Sequence, residues 1–144
     1  MAYVRIWLHC VWGTKNRFPF LTKEIKMKVI NHIREYATKK DIYIDFINGC
    51  KDHLHTTISL NAEQNISKVM GLLKGESSSW INKQKLTPQH FGWADEYFAV
   101  SVGESQINRV REYIKNQETH HQIRTWAEEY NEFMEKYGFA KVKG

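Results

Sequence analysis

The pattern of apolar residues predicts an α+β fold of the ferredoxin-like (RRM-like) kind: a split β-α-β plan with an antiparallel sheet, helices on one face and a C-terminal helical extension. Three observations carry this. Short runs rich in β-branched and aromatic residues alternate with longer stretches of helical period. Their order along the chain reads β-α-β-β-α-β-α-α. No internal repeat, low-complexity tract or linker interrupts the 144 residues, so residues 1–144 read as one domain.

The first strand is read over residues 3–12 (YVRIWLHCVW), dense in the residue types that suit a pleated surface. Gly13 to Pro19 breaks that pattern and forms a basic loop with Lys15 and Arg17. Thr22 can cap the first helix, with Glu24 in its first turn. Met27, Ile30, Ile33 and Tyr36–Ala37 carry the helical period to about Lys39. Asp41 to Cys50 reads as the second strand, Asn48–Gly49 as a turn, and Leu54 to Leu60, entered through His53, as the third strand.

Asn65 or Ser67 starts the second helix, whose apolar side holds Ile66, Val69, Leu72–Leu73 and Trp80–Ile81. Gly71, Gly75 and Ser77–Ser79 lower its propensity, and small residues allow close approach. Residues 84–95 are a loop with Pro88 and Gly92 inside it. Tyr97 to Val102 forms the fourth strand, ended by Gly103. A third helix runs from Ser105 through Ile107, Val110 and Ile114. A last helix starts near Thr125 with an amphipathic stripe of Trp126, Tyr130, Phe133–Met134 and Tyr137, suited to packing on the body or on a partner subunit.

The composition, 42% hydrophobic and 26% charged, is that of an ordinary soluble globular protein. No apolar run is long enough to span a bilayer, and Arg5 and His9 in the first strand are foreign to a signal peptide. Cys10 and Cys50 lie in apolar runs without a CxxC pair, which reads as two core thiols of a cytoplasmic protein. A net charge of +5 and a pI near 9.2 favour polyanionic partners, nucleic acid first. Part of the 13% of aromatic residues must fill the core, and the rest could stack on bases.

Two local patterns carry chemistry. In Asp52-His53-Leu54-His55, strand alternation points both histidines to one face, roughly 6.5–7 Å apart along the strand, and Leu54 to the other. Such a pair suits one metal ion, and equally suits packing. In Tyr113-Ile114-Lys115-Asn116-Gln117, Tyr113 and Gln117 stand one helical turn apart on one face. Tyr113 lies at the edge of the buried side set by Ile107, Val110 and Ile114, where its hydroxyl stays reachable; a tyrosine there is also an ordinary packing residue. Together the two patterns suggest a neutral donor set, two imidazoles and an amide oxygen, for Mg²⁺ or Mn²⁺. The Tyr113 hydroxyl beside it could attack a polarised phosphate and conserve the bond energy as a phosphotyrosine ester.

The histidine–hydrophobe–histidine run resembles the signature of the HUH nucleases. Within them the chain resembles, almost end to end, the single-tyrosine transposases of small bacterial and archaeal insertion sequences (the IS200-like and REP-associated tyrosine transposases). The blocks that carry the resemblance are His9–Arg17, Asp52–His55, Leu73–Ser78, Trp93–Gly103 and Tyr113–His121, in this order. The resemblance implies His53, His55 and Gln117 as metal ligands and Tyr113 as nucleophile. It further implies that the tyrosine takes the 5′ phosphate of single-stranded DNA at the element's ends and leaves a 3′ hydroxyl, with short hairpins bound nearby. It implies a homodimer whose sites combine the histidines of one subunit with the tyrosine helix of the other; monomeric relatives place the tyrosine in cis.

Lys15, Arg17, Lys51, Lys74, Lys83 and Lys85 fall where hairpin DNA would lie, and Lys15, Arg17 and Lys74 are the DNA-binding candidates. His120 and His121 match the family pattern and also suit helix-end roles, and Asp52 could orient a ligand histidine. Two rivals stand beside this reading. His55-Thr56-Thr57 satisfies the half-motif of two-histidine phosphoesterases, but no second such motif exists in the chain. A non-catalytic, domesticated single-strand-binding module of the same fold needs none of His53, His55, Tyr113 and Gln117.

Overall fold

The computed structural model describes residues 1–117, 128–129 and 131–132. Its elements follow the expected order: β1 (Ile6–Gly13), α1 (Lys23–Lys39), β2 (Tyr43–Gly49), β3 (His53–Leu60), α2 (Ile66–Gln84), β4 (Phe98–Val102) and α3 (Ile107–Lys115). Short 3₁₀ turns at Lys15–Arg17 and Glu104–Gln106 follow β1 and precede α3. The four strands lie in the order β2-β3-β1-β4 with every neighbouring pair antiparallel. Helix α1 begins where Thr22 was expected to cap it, though the Thr22 side chain makes no capping hydrogen bond. In α2 the Asn65 carboxamide does cap, accepting from the Lys68 amide at 2.9 Å.

Alternation along the strands divides the sheet into two unlike faces. On one, Leu8, Cys10 and Trp12 of β1 stand beside Ile58, Thr56 and Leu54 of β3. Most of these join Val29, Ile33, Met70, Leu73 and Ile81 of α1 and α2 in the hydrophobic core. On the other face, Trp7, His9 and Val11 stand beside Ser59, Thr57 and His55. Helices α1 and α2 thus share one face, as the ferredoxin-like plan expects, and α3, where the C-terminal extension begins, lies on this second face. The physical reason is a set of polar anchors on that face. Arg111 of α3 grips Asp45 with two hydrogen bonds (2.6 and 3.0 Å), Asp45 also accepts from Thr57, and Asn48 donates to the carbonyls of Ile114 and Lys115.

Three local expectations need correction. Asn48–Gly49 is not the turn: both residues belong to β2, which pairs as far as Gly49↔Leu54, and Cys50 to Asp52 make the reversal. A side chain at Gly49 would stand 2.1 Å from the His53 carbonyl, so only glycine allows β2 and β3 to close here. Cys10 is buried as expected, but Cys50 is only half-buried, its Sγ 3.1 Å from His53 Nδ1. On α2, Trp80 stays partly exposed, stacked on the His32 imidazole at 3.9 Å, and Met70 and Ser77 fill the buried side.

The loop after α2 is fastened at several points. Trp93 bridges to Thr14, Trp93 Nε1 donates to the Ser77 hydroxyl (2.9 Å), and Asn82 exchanges two hydrogen bonds with Phe91. Gly71 and Gly75 are exposed, and open space surrounds the place a Cβ would occupy. Of the expected last helix, Glu128, Glu129, Asn131 and Glu132 are described and helical. Its apolar stripe (Trp126, Tyr130, Phe133–Met134, Tyr137), like His120 and His121, lies outside the described residues. No helix among the described residues is long and apolar enough to cross a membrane.

Candidate active site

His53 and His55 leave β3 on the same face, as strand alternation requires, with ring centroids 5.0 Å apart. Both are fully buried. Each imidazole is fixed from its outer nitrogen. His53 Nδ1 lies 2.8 Å from Asp52 Oδ1, and His55 Nδ1 lies 2.9 Å from His9 Nε2. His9 comes from β1, one diagonal step from His55, and its ring stacks on that of His55.

The inner nitrogens converge on a carboxylate. His55 Nε2 is 3.0 Å from Glu129 Oε1 and His53 Nε2 is 3.5 Å from Glu129 Oε2. Glu129 is 3% exposed, which a carboxylate tolerates only when well partnered. The Tyr113 hydroxyl donates to the same carboxylate. Tyr113 thus stands over its own chain's histidines, its ring centroid 5.5 Å from that of His55 and 6.2 Å from that of His9. It remains half-buried, at the edge of the helix side where Ile107 and Ile114 are buried. Gln117, one turn on, is fully buried, and its carboxamide reaches back to the Tyr113 carbonyl at 3.4 Å.

The electrostatics of the three histidines differ. Burial drives His55 down to about 3 and His9 down to about 4, so both imidazoles are neutral at physiological pH. Burial acts on His53 in the same sense, but hydrogen bonds with Asp52, Cys50 and Glu129 outweigh it and hold its pKa well above the ordinary value. Two imidazoles with oriented inner nitrogens and a buried carboxylate form a donor set that fits a divalent ion, which would take the place of the proton on His53.

The basic candidates gather around one loop. Lys15 and Arg17 are exposed on the turn that follows β1, in which Asn16 and Arg17 take left-handed backbone angles (φ 56° and 55°). That turn is joined to the histidine strand, for the Thr14 amide donates to the Asp52 carbonyl at 2.8 Å. Lys74 projects from α2, donates to the Asp95 carbonyl (3.0 Å) and lies 5.7 Å over the Tyr97 ring. Burial lowers its pKa, against the attraction of Asp95 and Glu96. Trp93, Ala94 and Asp95 separate two open grooves, one of about 430 Å³ beside Lys15 and Arg17 and one of about 780 Å³ beside Lys74 and Lys83.

Glu129 and His9 were not singled out from sequence as site residues. For Glu129 a signal existed: it falls three residues after Trp126 and four before Phe133, so its spacing puts a carboxylate on the apolar side of the last predicted helix. For His9, the hints were a histidine in a largely apolar strand and its place at the head of the His9–Arg17 block.

Comparison with known proteins agrees with this architecture. The model of the family described as "Transposase IS200 like" matches residues 2–117. The transposases for insertion sequence element IS200 of Salmonella typhimurium and Salmonella typhi are each 28% identical over 115 residues, covering 76% of this chain and 74% of theirs. Among solved structures, a candidate transposase from Deinococcus radiodurans R1 superposes with a TM-score of 0.66 at 23% identity, over 81% of this chain and 95% of that one. A REP-associated tyrosine transposase bound to a REP hairpin superposes with a TM-score of 0.65 at 12% identity, over 84% and 72%. These two structures share the fold. With the family's match running from the first strand to Gln117, the chain belongs to the IS200-like transposases.

Proposed function

We propose that this transposase, acting as one domain over residues 1–144 in the cytoplasm, cleaves and rejoins single-stranded DNA at insertion-sequence ends through a covalent 5′-phosphotyrosine intermediate. The observation that supports this best is the placement of the Tyr113 ring 5.5 Å from His55, over two buried histidines that share a face. His53, His55 and Gln117 would hold a divalent ion, Mg²⁺ or Mn²⁺, which supplies charge neutralisation and polarisation at the scissile phosphate. Asp52 and His9 keep the two imidazoles turned inward. Tyr113 provides the attacking hydroxyl. Its oxygen forms the bond to phosphorus, the 3′ oxygen of the flanking strand leaves as a hydroxyl, and reversal by a new 3′ hydroxyl reseals DNA without ATP.

Hairpin DNA would lie along the grooves beside Lys15, Arg17 and Lys74, where phosphate contacts position it. The hairpin bound to the REP-associated relative supports this partner class. We further infer a homodimer with shared sites. Exchange of α3 between subunits would rebuild in trans the constellation that one chain already forms in cis. Mixing His53→Ala with Tyr113→Phe protein tests this: restored cleavage means trans assembly, and none means cis.

The deciding experiment is a denaturing-gel assay for covalent protein–DNA adducts with hairpin-bearing single strands taken from matched element ends. Wild type should form an adduct with Mn²⁺ and none with EDTA, and Tyr113→Phe should form none. An adduct that persists in the phenylalanine variant moves the nucleophile elsewhere. Binding without any adduct would replace this reading by the non-catalytic, single-strand-binding one.

A further inference from the structure

We propose that Glu129 is itself a ligand of the divalent ion, so that the donor set carries a negative charge and includes a residue from beyond the tyrosine helix. The inference rests on the reading of His53 and His55 as ligands. Adjacent ligands of a six-coordinate ion bound at about 2.1 Å must stand about 3 Å apart. The Glu129 carboxylate oxygens stand 3.0 Å from His55 Nε2 and 3.5 Å from His53 Nε2. The ligating atoms of all three residues lie within 4.8 Å of one another, and all three side chains are buried.

The outer nitrogens strengthen the case. His53 and His55 each spend Nδ1 on a partner outside this cluster, Asp52 or His9, and turn Nε2 towards the carboxylate. Metal-bound histidines are held in this way, one ring nitrogen oriented by a hydrogen bond and the other free to coordinate. A hard ion such as Mg²⁺ or Mn²⁺ prefers carboxylate oxygen to imidazole nitrogen, so Glu129 would be its strongest single protein donor. The Tyr113 hydroxyl donates to this carboxylate. Glu129 would therefore also hold the nucleophile at the edge of the ion and link metal loading to tyrosine placement.

The test is binding of Mn²⁺ alone to metal-free, full-length protein, without DNA, followed through the electron paramagnetic resonance signal of the free ion. Wild type is compared with Glu129→Gln, Glu129→Ala and a His53→Ala/His55→Ala double variant, each checked for folding by circular dichroism in EDTA. Either Glu129 variant suffices if the other does not fold. Loss of the carboxylate should weaken Mn²⁺ binding by about tenfold or more, since a charged ligand is removed from a buried site. Affinity within about twofold of wild type, with binding lost in the double-histidine variant, overturns the role of Glu129 and leaves the histidine reading standing. Wild-type affinity in the double-histidine variant overturns both.

Discussion

The two faces of the sheet are made by the same strands and do opposite work. In β1 and β3, one set of alternate residues (Leu8, Cys10, Trp12, Leu54, Ile58) packs into the core with α1 and α2, and the histidines between them (His9, His53, His55) meet Tyr113 of α3 or Glu129. One face is held by area removed from water. The other is held by directed hydrogen bonds, and it contains three buried imidazoles that the apolar face steadies from behind. Leu54 sits between the two histidines and anchors the strand that presents them. Stability and chemistry are thus separated by one peptide unit rather than by a domain boundary, and substitutions at neighbouring positions should separate them.

The largest contrast should come at the hydroxyl. Tyr113→Phe leaves the ring in place, and adduct formation should fall by at least about a thousandfold, the scale of losing a nucleophile, while the melting temperature in EDTA stays near wild type. Next, Leu54→Ala should cost about 3 kcal/mol in denaturant unfolding, as for a fully buried leucine, yet retain adduct formation at temperatures where it is folded. His55→Ala, its neighbour, should lose both the adduct and the rise in melting temperature that Mn²⁺ gives wild type. If Leu54→Ala and His55→Ala proved alike in both assays, the division between the faces would be wrong.

Smaller effects sharpen the picture. Arg111→Ala removes both hydrogen bonds to Asp45 and should cost about 1.5–3 kcal/mol, with cleavage slowed more than folding is weakened because α3 carries Tyr113. The pH dependence has a definite sign. His9 titrates near 4 in the fold against an ordinary value of 6.5, so the unfolded chain takes up the proton first and stability falls as pH drops from 6.5 towards 4. His55 acts in the same direction. The raised pKa of His53 acts oppositely: its contribution is present below 6.5 and lost as pH rises through the raised value. Thermal melts in EDTA should therefore show wild type losing more stability over that window than His9→Gln. Least of all, Ser77→Ala should cost about 1 kcal/mol, since it leaves the buried Trp93 Nε1 without its hydroxyl acceptor.

What was legible in the sequence is what local geometry dictates. The strand alternation put His53 and His55 on one face, and the helical turn put Tyr113 and Gln117 together; neither needs tertiary information. The element order sufficed for the sheet plan. The side on which α3 lies was not legible, because it depends on Arg111 meeting Asp45 and Asn48 meeting the helix end, contacts that span 66 residues or more. Glu129 was missed for a similar reason. A glutamate at an apolar position marks a buried carboxylate, but nothing local says what it faces. The misplaced turn at Asn48–Gly49 has another origin. The dipeptide favours left-handed turns, and here the glycine is required instead by the approach of two strands.

That close approach at Gly49 has a consequence for how such a protein can decay. Every missense change at a glycine codon adds a side chain, and here the first added carbon would collide with the backbone carbonyl of His53. One base substitution at a position with no chemistry of its own would push the start of β3 off register and silence the protein as surely as loss of a histidine. A saturation library across residues 48–55 should find Lys51 permissive and Gly49 as intolerant as the histidines themselves. Catalogues of inactivated copies should accordingly hold lesions there that leave every reactive side chain intact.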